Sequence, residues 1–104
     1  MRANIPGHNY TLANAENKHI EGQALQFVHH EPVNYETGEY RLFADGTTEQ
    51  EVLICLIDRL IFLNKNRQAQ NLDSIIFKLQ DCLLQLEGKA IENASMKQGN
   101  MRVA

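Results

Sequence analysis

The run Asp45-Gly46-Thr47-Thr48-Glu49-Gln50-Glu51-Val52-Leu53-Ile54-Cys55-Leu56-Ile57-Asp58-Arg59-Leu60 constrains this chain most. Thr48 is a good N-cap, and Glu51 three residues on completes a capping box. The spacing predicts a helix over Glu49–Asn66, with Leu53, Leu56, Ile57, Leu60 and Asn64 on one stripe. Val52, Cys55, Phe62 and Leu63 lie off that stripe, and Ile54 and Ile61 share another line. That is more apolar surface than one helix face needs.

Residues 66–71 read as a turn, with Arg67 a solvated or helix-end charge there. A second helix is predicted from near Leu72 to about Asn93 or beyond, with Leu72, Ile75, Ile76, Leu79, Leu83, Leu86 and Ala90 on its stripe. Phe77, Leu84 and Ile91 recur every seven residues on another face. Gly88 weakens this helix by roughly 1 kcal/mol relative to Ala. The short connection predicts an antiparallel helical hairpin. Its second apolar faces either cover a small sheet or build a homo-oligomer, and the size of the surplus favours the oligomer.

The first half of the chain has strand rather than helix signals. Pro6-Gly7 marks a turn, and Tyr10 and Leu12 alternate with polar neighbours. Residues 14–21 read as irregular. Gln23–His29 alternates as a strand that Pro32 is expected to end, and Tyr40–Phe43 reads as a second strand after turn residues Asn34, Thr37 and Gly38. The fold class is therefore α+β: a small antiparallel β-hairpin or sheet, then an antiparallel helical hairpin, in an oligomer. A chain of 104 residues is read as one domain, divided into 1–44 (loop and β part), 45–94 (helical hairpin) and 95–104 (frayed tail).

Charge excludes one class of partner. The formal net charge of -3 argues against binding long nucleic acid, which needs a basic face. It leaves room for a small anion in one local pocket. The longest apolar run, Val52–Ile57, is far below the roughly 20 residues of a membrane span, so no membrane partner is expected. Cys55 and Cys82 sit at apolar helix positions and read as reduced core thiols.

Three groups of residues carry candidate chemistry. Gly46, Thr47 and Thr48 precede a helix N-terminus, whose free N–H groups and dipole suit phosphate; plain helix capping explains them as well. Arg59 lies among apolar neighbours and either snorkels, pairs with a carboxylate, or holds a phosphate. His8, Tyr10, Phe27, His29 and His30 supply planar rings for base stacking, with Tyr10 the best placed. The alternative is that Phe27 is core and the histidines are surface residues. His29 and His30 are adjacent, so on a strand they face opposite ways and make no acid/base pair. No catalytic motif, zinc spacing or cofactor fingerprint occurs, so neither enzyme activity, nor a metal, nor a cofactor is expected.

Gly46-Thr47-Thr48-Glu49-Gln50-Glu51-Val52-Leu53, followed by Leu56-Ile57-Asp58-Arg59-Leu60, resembles the hairpin domain of phage-encoded cyclic-nucleotide sponges. These are the anti-CBASS and anti-Thoeris proteins. Gly7-His8-Asn9-Tyr10-Thr11-Leu12-Ala13-Asn14 and Gln23-Ala24-Leu25-Gln26-Phe27 are similar to N-terminal segments of that group, so the likeness spans residues 7–87. The chain departs from it at Met96–Asn100, which only loosely matches a basic ending, and at Asp73-Ser74-Ile75-Ile76. The resemblance implies a homo-oligomer, a hexamer or other dimer-based assembly, in the cytoplasm of an infected bacterial host. It implies that cyclic di- or trinucleotides, or cyclic ADP-ribose isomers, are held without turnover. On that analogy Tyr10 stacks on a base, with His8 and Phe27 as further rings. Asn9 and Gln23 read polar edges, and Gly46, Thr47, Thr48 and Arg59 lie near a phosphate or second nucleotide.

Overall fold

The computed structural model describes residues 1–34, 36–66 and 71–103, from residue 90 onward as backbone only. Five strands precede two helices, an α+β order: β1 (Arg2–Ile5), β2 (Asn9–Leu12), β3 (Gln23–Gln26), β4 (His29–Asn34), β5 (Glu39–Ala44), α1 (Glu49–Asn66) and α2 (Asp73–Val103). The chain divides into two units, Met1–Glu49 and Gln50–Ala104. No helix among the described residues is long and apolar enough to cross a membrane.

In the first unit, β1, β2 and β3 form an antiparallel sheet in that order. Pro6-Gly7 makes the first turn. His8 N–H donates to the Ile5 carbonyl (2.9 Å), and Gly7 has φ 85°, so Pro6 and Gly7 occupy the two central places of a type II turn. Thus 1–12, where only a short extended piece around Tyr10 was expected, forms two paired strands.

β4 and β5 form a separate two-stranded ribbon. Here the structure corrects two expectations. The predicted strand Gln23–His29 breaks at Phe27-Val28, because its pairing changes partner there. Phe27 N–H donates to the His8 carbonyl (2.8 Å), and Val28 N–H to the Thr47 carbonyl (2.9 Å). Nor does Pro32 end the strand: it sits inside β4 opposite Tyr40, beside a bulge. A ribbon strand has one free edge, and a residue with no N–H costs nothing on that side. The ribbon turns at Asn34, whose Oδ1 accepts from Glu36 N–H (2.9 Å), and at Gly38, with φ 68°.

In the second unit α1 has the predicted bounds, Glu49–Asn66. Thr48 and Glu51, the proposed cap residues, each have a partner. Ile57 and Ile76, 7% and 8% exposed, are the buried apolar residues among those described. Around them, Leu53 and Leu60 on α1 and Leu72, Leu79, Leu83 and Leu86 on α2 are half-buried. This stripe, at alternating steps of four and three, is the narrow one of a helix seam. Leu56 and Ile75, expected within it, are instead exposed, at 43% and 48%. Both cysteines are exposed too, so neither is the core thiol that apolar spacing implied. α2 continues to Val103 through residues expected to fray. Arg67 lies outside the described residues, as do the side chains of Ala90 and Ile91.

Asn64 has a role that the stripe pattern hid. Its Oδ1 accepts from Leu72 N–H (3.1 Å), and its Nδ2 donates to Asp73 Oδ1 (2.7 Å). The end of α1 thereby caps the start of α2, with Asn71 Oδ1 accepting from Asp73 N–H (3.1 Å). Asn64→Ala removes both bonds and leaves a part-buried N–H unpaired. We expect a loss of about 1–3 kcal/mol, read as a lower urea midpoint at unchanged slope.

Candidate functional site

Three segments distant in sequence converge at one end of the three-stranded sheet. They are 8–10 at the start of β2, 25–27 at the end of β3, and 45–47 before α1. Phe27 forms an isolated parallel bridge with Thr47, and Thr47 N–H donates to the Gln26 carbonyl (2.9 Å). Gly46 permits this approach, since any Cβ there would meet the backbone of Gln26 and Phe27.

The two faces of the sheet have different chemistry. On one, side chains form a polar relay. Arg2 Nε donates to Asn4 Oδ1 (2.8 Å), Asn4 Nδ2 to Asn9 Oδ1 (2.9 Å), Asn9 Nδ2 to Gln26 Oε1 (2.7 Å), and Gln26 Nε2 to the Phe27 carbonyl (2.7 Å). Ala3, Tyr10 and Leu25 are cross-strand partners on the other. Tyr10 stands edge-on to Phe27, with centroids 5.9 Å apart at 86°, and its hydroxyl accepts from Gly7 N–H (3.0 Å). Tyr10 is therefore a half-buried strand residue.

A second aromatic group lies beside it. His8 and His29 stack at 3.6 Å with planes 6° apart, and Phe43 tilts onto His29 at 4.8 Å. The His29 side chain is 12% exposed; Nε2 lies 3.6 Å from Glu31 Oε1, and Nδ1 is buried without a partner. His30 is exposed, as adjacent strand positions require. The sequence pairs neither His8 with His29 nor either with Phe43, because the contact joins the turn before β2 to β4 and β5.

The structure brings His8, Asn9, Tyr10, Phe27, Gly46 and Thr47 together. Gln23 is exposed at the opposite end of β3, three residues from Gln26, or about 10 Å along a strand. Arg59 belongs to the second unit and is exposed on α1. Several of the gathered groups already have bonds. Both ends of the Asn9 amide are engaged; Gly46 N–H donates to Asp45 Oδ1 (2.8 Å), and Thr47 N–H to Gln26. The Tyr10 and His8 rings are what this corner offers a ligand.

No family model, curated protein or solved structure matches the chain.

Proposed function

We propose that this chain is a non-catalytic sponge: a homo-oligomer that captures cyclic di- or trinucleotides, or cyclic ADP-ribose isomers, in an infected bacterial cytoplasm. It would block CBASS or Thoeris signalling by sequestration. The resemblance over 46–60 supplies the ligand class. The observation that carries the reading is the meeting of 8–10, 25–27 and 45–47, the segments in which the resemblance lies. That corner gathers aromatic rings, the platform on which a nucleotide base can stack. The two helices, expected from the sequence to pair as an antiparallel hairpin, would supply the assembly. Their exposed Ile54, Phe62, Phe77 and Leu84 form the apolar surface that a second copy would cover.

Calorimetric titration with a panel of cyclic dinucleotides, cyclic trinucleotides and cyclic ADP-ribose isomers tests this. The expected result is tight binding and intact nucleotide recovered after heat denaturation. Cleaved nucleotide would replace the sponge with a phosphodiesterase. Tyr10→Ala is expected to weaken binding at least tenfold. Because Tyr10 also packs on Phe27 and bonds Gly7, Tyr10→Phe is the needed control: it keeps the ring and should keep most of the affinity. Equal losses in both would assign Tyr10 a structural role only.

A second reading is a helical-hairpin oligomerisation module with a protein partner. One observation favours it: the Asn9 amide and the N–H groups of Gly46 and Thr47 are bonded within the chain. No binding across the nucleotide panel would select it.

A further inference from the structure

The first unit has a concavity separate from that corner. It holds about 520 Å³ between the β1–β2 edge and the 13–22 loop, and Arg2, Thr11, Lys18, His19, Ile20 and Glu21 line it. Gly22 shapes it, because a Cβ there would overlap the Leu12 carbonyl oxygen, so only glycine lets the loop close this tightly on β2.

Arg2 is held at three points. Nε donates to Asn4 Oδ1 (2.8 Å), and Nη2 donates to Thr11 Oγ1 (3.4 Å) and Glu21 Oε1 (3.3 Å). A guanidinium has five N–H groups, so the two on Nη1 are left over. Lys18 and His19, on the same wall, take part in no ion pair among the described residues. With Glu21 balancing Arg2, the wall keeps the Lys18 charge in a chain whose net charge is -3. A guanidinium braced by three acceptors loses little side-chain freedom when it takes a further acceptor.

We propose that this concavity binds a small phosphate-type oxyanion, with Arg2 Nη1 and Lys18 as its cationic donors and His19 beside them. The oxyanion is either free phosphate or the phosphate of a monoester whose organic part rests on Ile20. The proposal does not depend on the sponge reading.

The test is an amide-resolved NMR titration of the whole chain at constant ionic strength, with inorganic phosphate in one arm and adenosine 5′-monophosphate in the other. Saturable shifts confined to Arg2, Thr11 and 18–22 are expected, weakened at least fivefold by Lys18→Gln. Lys18 is exposed and unpaired, so that variant keeps the fold. Tighter binding of the nucleotide assigns the monoester, and equal affinities assign free phosphate. Non-saturating shifts, shifts centred on 8–10 and 46–48, or an unchanged affinity in Lys18→Gln would overturn the proposal.

Discussion

Gly46→Ala is expected to destabilise the first unit by about 2–4 kcal/mol. A Cβ at position 46 would lie 2.7 Å from the Phe27 carbonyl carbon and 2.8 Å from that of Gln26, and would meet the Gln26 oxygen. All three are backbone atoms, so no rotamer change relieves the overlap. The strands must separate, and the bonds from Thr47 N–H to Gln26 and from Val28 N–H to Thr47 are lost together. For a chain of this size such a loss lowers the melting temperature by roughly 10 °C or more. Hydrogen exchange locates the damage: the Val28 and Thr47 amides should lose protection, while those of mid-α1 keep it. An unchanged melting temperature would mean that the close approach at Gly46 contributes nothing. The variant also separates two jobs of the Asp45–Thr48 segment, since ligand affinity that persists in a loosened corner must come from elsewhere.

The second large effect concerns assembly. Phe77 and Leu84 are 71% and 66% exposed, one heptad apart on α2. Phe77→Glu with Leu84→Glu removes two large apolar side chains and would set charges in an apolar interface. Each lost burial is worth about 1.5–3 kcal/mol. Association should therefore weaken by at least 100-fold, and light scattering should give a single-chain mass where the parent chain gives an oligomer. Helix content should be unchanged, because neither residue belongs to the Ile57 and Ile76 stripes. A parent chain that is monomeric at micromolar concentration, or a double variant that still assembles, would end the oligomer proposal.

How much of this was legible in the sequence depended on range. α1 was read to the residue, because a cap and a 3.6 period are local signals. The Pro6-Gly7 and Asn34–Gly38 turns were legible for the same reason. The strand break at Phe27-Val28 was not, since it arises from bonds to His8 and Thr47, some twenty residues away on either side. Periodicity placed Leu56, Ile75 and both cysteines inside, but a narrow seam leaves them out. Among the candidate site residues, pattern singled out Tyr10, Phe27 and Gly46 but not the contacts they make across the sheet. The polar relay through Asn4, Asn9 and Gln26 and the stack of His8 on His29 exist only once strands are registered. Asn64 shows the same limit: its spacing matched an apolar stripe, while its amide caps the next helix.

The bridge between Phe27 and Thr47 has a topological consequence. The chain leaves the sheet at Phe27 and returns beside it at Thr47, so the whole β4–β5 ribbon is an excursion whose two ends meet. The entropy of closing such a loop grows only logarithmically with its length. Insertions or deletions at the ribbon tip, around Asn34–Gly38, therefore change the closure cost little and need not move the α1 start. The ribbon tip is open to changes of length, while its base at Phe27, Gly46 and Thr47, where backbones meet, is not.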